Sequence, residues 1–320
     1  MEPKIGAVAL APMDGVTDHV YRDLLTSRAR PGALSFTVSE FVRVTSRPLS
    51  ADVIRRTCPE VSRGGVTRAG TPVLVQLLGG QPEPLAATAR TAIEAGASGV
   101  DLNFGCPAKL VNRHDGGASL LKTPERIERI VASVRAAVPA RHPVSAKIRL
   151  GWDCSDQVTE IALAAERGGA TFLTIHGRTK ADMYGPPADW EAIGRARRAI
   201  GISTIANGDL NTRDALARCR DQSGCESFML GRGPMGRPSL LCGEGNTDAD
   251  SERRLLTDLL LDYLARLQDA HYTESLCVAR VKQWLSLGSK VNPDVRPLFE
   301  PVKRLLTVRD VRTMLERGAA

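Results

Sequence analysis

A chain of 320 residues with 42% hydrophobic content suffices for one large domain of barrel size, alone or with a small appendage. No apolar run of about 18 residues occurs, and the opening MEPKIGAVALAPMDG turns before a cleavage-type signal can form, so a soluble cytoplasmic protein without membrane contact is expected. The seven cysteines are scattered, without C-x-x-C or zinc spacing, which points to reduced thiols and no metal; the formal charge of +7 admits a polyanionic partner and equally fits an ordinary enzyme.

From Val8 to about Arg232 short β-rich apolar runs alternate with helix-compatible stretches. The expected strands are VALAPM, SFTVSEF, VLVQLLG, GVDLNFG, VSAKIRLG, TFLTIHG, STIANGD and SFMLGRG. Between most of them lie PEPLAATARTAIEAG, TPERIERIVASVRAAV, SDQVTEIALAAERGG and NTRDALARCRDQSG, several ending on glycine as a helix C-terminus should. Eight strands with helical crossovers predict a TIM (β/α)8 barrel, with a doubly wound sheet as the alternative. The continuous apolar character of the strands fits a parallel sheet covered by helices. After GRGPMGRPSLL, the polar CGEGNTDADSE reads as a linker, and RRLLTDLLLDYLARLQDAH, ESLCVARVKQWLSLG and PLFEPVKRLLTVRDVRTMLERG carry helical periodicity. The division expected is a barrel over residues 1–243 and a small all-helical domain over 251–320. That tail holds 12 Lys and Arg against 9 Asp and Glu, a denser positive charge than the 31 against 27 of the rest.

In such barrels the active site forms where strands end and loops begin. Those junctions carry Pro12 and Met13, Glu40, Gln76, Asn103 and Cys106, Lys147 and Arg149, His176, Asn207 to Asp209, and Gly231 to Gly233. The last two, ANGDL and LGRGPMG, offer small residues and backbone N–H groups at the corner where barrels commonly hold phosphate; glycines also cap tight turns, and the phosphate reading is the stronger. Lys147, flanked by Ala146 and Ile148, is read as pointing inward, where an ammonium needs an anionic partner such as the N1–O2 edge of a reduced flavin. His176 either donates to a ligand carbonyl or is a satisfied structural group, and Gln76 either meets a flat heterocycle or ties two loops together. Cys106 has three readings: nucleophile, inert buried thiol or general acid. With no Cys-His-Asn pattern, and a reference thiol pKa of about 8.5, the acid is favoured. The long AKLVNRHDGGASLL that follows, with Gly116 and Gly117 as hinges, is read as a loop that closes over substrate.

In order, LAPMDGVTD, VQLLG, DLNFGCPAKLV, GGASLL, KIRLGWD, HGRT, IANGD and GRG resemble the motifs of the tRNA-dihydrouridine synthases over Val8 to Gly236, with a helical tail of similar kind. The resemblance implies an FMN enzyme in which NADPH reduces FMN, flavin N5 gives hydride to C6 of a uracil, and Cys106 protonates C5. By the same similarity Ala11, Pro12 and Met13 would lie against the flavin and Gln76, Lys147 and His176 at its ring. Asn207, Gly208, Asp209, Gly231 and Arg232 would hold its ribityl phosphate. Asn103 would orient the uracil, with Arg149 beside it on the substrate side. SEFVRV and ARVKQWL resemble the branch acting on uridine 16 of the tRNA D-loop, which carries over Arg43, Arg280 and Lys282 as tRNA contacts; a solvated charged helix face is the plainer account of them. Where that branch tends to a Gly- or Ser-rich stretch, this chain has Arg113, His114 and Asp115.

A target base must leave its stack, so the protein has to grip the whole RNA, and the basic tail would do so. A flavin oxidoreductase acting on a free small molecule, the alternative, leaves that tail without a task. A monomer is expected. The absence of a strand-linked G-x-G-x-x-G predicts transient NADPH binding over the flavin instead of a separate dinucleotide domain.

Overall fold

The computed structural model describes residues 6–185, 187–243 and 247–319. Strands β1 (Val8–Leu10), β2 (Phe36–Arg43), β3 (Val73–Leu78), β4 (Gly99–Asn103), β5 (Val144–Arg149), β6 (Phe172–His176), β7 (Ser203–Asn207) and β8 (Ser227–Leu230) close in chain order into a parallel barrel, β8 pairing back onto β1. Helices α1 (His19–Arg28), α2 (Ala51–Thr57), α3 (Pro82–Glu94), α4 (Lys109–Arg113), α5 (Pro124–Ala137), α6 (Val158–Arg167), α7 (Trp190–Ala199) and α8 (Arg213–Ser223) lie in the crossovers. Closure rules out the doubly wound sheet. The strands stop short of the expected runs because the junction residues already belong to the loops.

Two-residue alternation sorts the side chains. Val100, Leu102, Ala146, Ile148, Leu173 and Ile175 face outward into the core shared with the helices. Ala9, Phe36, Val38, Leu74, Phe172, Ile205 and Met229 fill the barrel from inside, Phe36 and Phe172 meeting at 5.4 Å. Continuing the inward register past that apolar plug raises Asp101, Asn103, Ser145, Lys147 and Arg149 into the mouth. The same periodicity therefore makes both floor and site. A register shift between Val38 and Phe41 bends β2, and Ser39 Oγ accepts the Gln76 N–H at 3.1 Å. Arg22 and Glu60 form a fully buried two-pronged ion pair at 2.9 and 2.8 Å between α1 and the turn after α2.

Beyond β8 come α9 (Gly233–Gly236), α10 (Ala249–Asp269), α11 (Glu274–Ser289), α12 (Arg296–Val302) and α13 (Val308–Ala319). The expected linker is shorter than its composition suggested. Part of it, 244–246, lies outside the described residues, but α10 starts at Ala249, its first turn capped by Asp248, and Glu252 is buried against Ser239 and Thr247. The last expected helix is split, because Pro301 stands in the final turn of α12 and Thr307 starts α13 afresh by accepting the Asp310 N–H at 3.1 Å.

The tail docks on α1 and α9 through an aromatic cluster: Trp284 stands 4.9 Å from Tyr21 and 5.2 Å from Tyr263 and donates to the Met235 carbonyl at 3.1 Å. Gly236 and Gly288 let α9 and α11 touch backbone to backbone; a Cβ on Gly288 would lie 2.6 Å from the Met235 carbonyl. Tail and barrel residues belong to one hydrophobic cluster. No described helix is long and apolar enough to cross a membrane.

Candidate active site

A cleft of about 750 Å³ opens at the C-terminal ends of the strands. Ala11, Pro12, Met13, Gln76, Asn103, Cys106, Lys147, Arg149, His176, Asn207, Gly208, Asp209, Gly231 and Arg232 all line it, so the fold gathers every residue read as cofactor-binding or catalytic. Arg43, Arg280 and Lys282 do not line it.

One end of the cleft is cationic. Lys147 donates to Asn207 Oδ1 at 2.9 Å, and Asn207 in turn donates to the Met229 carbonyl at 2.8 Å. Burial, reinforced by Arg149 and only partly offset by Asp101, pushes the Lys147 ammonium down to about 8. His176 is driven well below the usual histidine range by burial and by Lys147, Arg149, Arg178 and Arg232, so it is a neutral imidazole with one donor and one acceptor. Asp209 sits in the left-handed region at φ 54° and accepts from Arg178 at 2.6 Å and from the Ala188 N–H at 3.0 Å. Its carboxylate therefore anchors a guanidinium, leaving backbone N–H groups and the arginines to face an anion. Gly208, at φ 115°, passes so close to His176 that a Cβ would lie 2.9 Å from the ring.

Cys106 sits at the other side of the mouth. Its N–H donates to Asn103 Oδ1 at 2.9 Å, while its carbonyl accepts from the Ala118 N–H at 3.1 Å and from Asn112 Nδ2 at 3.2 Å. Gly116 and Gly117, read from sequence as hinges, are buried. Gly117 is left-handed, and a Cβ there would lie 2.9 Å from the Cys106 carbonyl and from Val111. These glycines serve close packing of the loop. Burial raises the thiol's pKa, with Asp14 adding to the rise; the Ala108 backbone N–H, Arg149 and Arg43 oppose it. The sulfur accordingly carries its proton, which suits an acid and not a nucleophile.

Several charges do other work than expected. Arg149 lines the cleft, but its guanidinium donates to the carbonyls of Gly105 at 2.8 Å and of Thr179 and Met183 at 2.9 Å each, bracing the Cys106 loop against the loop after β6. Arg280 bonds the Gly15 carbonyl and pairs with Asp18 at 3.2 Å, at 15% side-chain exposure; it straps α11 to the loop after β1 and is not a solvated helix charge. Arg43 ends β2, close enough for its charge to act on the Cys106 thiol, and Lys282 lies half-buried on α11. In the departing segment, Asp115 pairs with Arg126 at 2.7 Å, which holds its carboxyl below the usual range, while Arg113 and His114 are exposed.

Sequence reasoning missed Arg178, Tyr184, Leu287 and Lys290, which also line the cleft. Arg178 was within reach: it stands two residues after His176 on the same alternation. Leu287 and Lys290 come from the tail, and no local signal announces them. Tyr184 lies within 5.5 Å of the Arg149 guanidinium and 5.8 Å of that of Arg232.

A family model described as dihydrouridine synthase (Dus) matches residues 9–286. Over 318 residues the chain is 43% identical to the tRNA-dihydrouridine(16) synthase of Ralstonia nicotianae, covering 97% of this chain and 95% of that one. It is 44% identical over 313 residues to the protein of the same name from Shewanella oneidensis, covering 97% and 98%. Histamine dehydrogenase from Rhizobium sp. 4-9 superposes with a TM-score of 0.55 at 11% identity over 82% of this chain and 50% of that one, a likeness of fold alone.

Proposed function

This chain belongs to the dihydrouridine synthase family, and we propose on that premise that it reduces uridine to 5,6-dihydrouridine at position 16 of the tRNA D-loop. The observation that carries the reading is a thiol, Cys106, whose pKa burial raises and whose backbone N–H and carbonyl are both tied down at the mouth of a cleft with a cationic far end.

The cleft suits FMN by its own chemistry. Gly208 and Gly231 leave room and backbone N–H groups, Arg178 and Arg232 with the Asp209 turn make an anion-receiving corner, and Pro12 and Met13 give an apolar wall. Bound FMN supplies hydride chemistry toward C6 of the uracil, with NADPH as its reductant. Asn207 holds the Lys147 ammonium, which would stabilise the negative charge of a reduced flavin ring held in the cleft. Neutral His176 offers a hydrogen bond without adding charge. Cys106 holds the proton destined for C5 on its sulfur. Asn103 spends its oxygen on the loop and one N–H on Gln76, which leaves one N–H to orient a uracil carbonyl.

In this reading residues 1–243 form the FMN-binding catalytic unit and 251–320 the tRNA-binding unit, acting as a cytoplasmic monomer. Arg43 and Lys282 serve as direct RNA contacts, and Arg280 works through the loop it holds.

The test is dihydrouridine mapping by mass spectrometry on unmodified tRNA incubated with protein, FMN and NADPH. Dihydrouridine at position 16 is expected. Bound, reducible flavin with no dihydrouridine would point instead to a flavin oxidoreductase for small molecules. Cys106→Ala is expected to keep NADPH-driven flavin reduction while losing about a hundredfold or more in uridine reduction.

A further inference from the structure

A chain of hydrogen-bonded side chains, buried at Gln76, Asp101 and Ser145 and half-buried at Asn103, links β3, β4 and β5 to the Cys106 loop. Ser145 Oγ donates to Asp101 Oδ1 at 2.6 Å, Gln76 Nε2 donates to Asp101 Oδ2 at 2.7 Å, and Asn103 Nδ2 donates to Gln76 Oε1 at 2.8 Å. Asn103 Oδ1 then accepts the N–H groups of Gly105 at 3.0 Å and Cys106 at 2.9 Å. Asp101 and Gln76 are 1% and 0% exposed, so no water competes for these groups. Register sets the order: Gln76 pairs with Asp101, Asp101 with Ser145, and Asn103 is two residues on from Asp101 on the same face.

We infer that Asp101 is a positioning residue which fixes the direction of this relay and thereby holds the Cys106 loop in place. An amide can be turned end for end, but the two termini here cannot. Backbone N–H groups only donate, so Asn103 must present its oxygen to them; a carboxylate only accepts, so Gln76 must present its nitrogen to Asp101. The two demands meet at Gln76 and agree. The inference rests on the acid role assigned to Cys106, whereas the geometry stands apart from it.

Three isosteric variants test the polarity. Asp101→Asn keeps it, because the new amide turns its oxygen to Gln76 and its nitrogen to Ser145, whose hydroxyl hydrogen passes to the Val100 carbonyl, 3.5 Å away. Asn103→Asp breaks it, since a carboxylate facing Gln76 Oε1 sets acceptor against acceptor, and turning Gln76 only moves the conflict to Asp101. The double variant Asp101→Asn with Asn103→Asp restores a consistent chain in the reverse sense: the amide introduced on β4 donates to Gln76, Gln76 donates to the new carboxylate, and that carboxylate still accepts from Gly105 and Cys106. The carboxylate then lies across the ladder from Lys147, the register partner of Asn103.

The measurement is the iodoacetamide alkylation rate of Cys106 by peptide mass spectrometry on the purified, flavin-loaded protein, with exposed Cys154 as internal reference and melting temperature alongside. Asn103→Asp is expected to raise the relative rate about tenfold, while Asp101→Asn and the double variant stay within about threefold of wild type. If Asn103→Asp fails to fold, recovery of folded, flavin-loaded protein in the double variant reports the same coupling. A double variant as reactive or as unfolded as Asn103→Asp overturns the inference, as does an Asn103→Asp protein alkylated at the wild-type rate. Alkylation needs no tRNA, so a failure of the uridine-reduction reading would leave this result standing.

Discussion

An ammonium enclosed in a barrel mouth either meets an anion or gives up its proton, and Lys147 is set between these outcomes. Its one hydrogen-bond partner among those described, Asn207, is neutral, and burial lowers its pKa from 10.5 to about 8. The sign of the consequence follows from proton counts. Between pH 8 and 10.5 the unfolded chain binds the proton and the ligand-free folded protein does not, so this residue makes stability rise with pH across that window. Below pH 8 both forms are charged and the cost of enclosing the ammonium is constant. Lys147→Met is expected to be more stable than wild type near pH 7, by at most about 3 kcal/mol, with the advantage gone near pH 10. Paired melting curves of ligand-free protein against pH check this, and parallel curves would refute it. The orientation of Lys147 was legible because Ala146 and Ile148 fix the alternation around it. The roles of Arg149 and Arg280 were not: a sequence shows a positive charge, while the acceptors here are backbone carbonyls of other loops and, for Arg280, the Asp18 carboxylate.

At the scale of elements, the Cys106 loop is held by its surroundings. Asn112 bonds the carbonyls of Cys106 and Ala108 and accepts the Ser119 N–H at 2.7 Å, so the five-residue α4 acts as a clip across the loop. Gly117 completes the fit. Gly117→Ala places a Cβ against the Cys106 carbonyl at a left-handed φ of 60°, a strain of about 1–3 kcal/mol for a residue with a side chain. Uridine reduction in this variant is expected to fall about tenfold or more while FMN affinity holds. Equal loss of both would mean that the strain spreads into the barrel. The strands and crossover helices were readable because their periodicity is local. The splitting of the last helix at Pro301 and Thr307, and the start of α10 at Ala249, depended on caps whose partners only the folded chain supplies.

At the scale of the whole molecule, tail and barrel share a core, which makes the tail a poor candidate for removal. Trp284 fills the space between Tyr21 and Tyr263; Trp284→Ala is expected to cost about 3–5 kcal/mol in a single unfolding transition seen by calorimetry. Two separated transitions in wild type would argue instead for independent bodies. The aromatic contacts between segments more than 200 residues apart lie beyond any reading by periodicity, although the basic excess of the tail was visible in composition. Leu287 and Lys290 add a last consequence. They bring α11 and the turn after it into the wall of the cleft, so whatever fills the cleft touches both segments at once, and part of its affinity is spent keeping them together. Thermodynamic reciprocity then runs both ways: a load that pulls the tail from the barrel weakens the hold on whatever the cleft contains, and an emptied cleft makes the two segments easier to part.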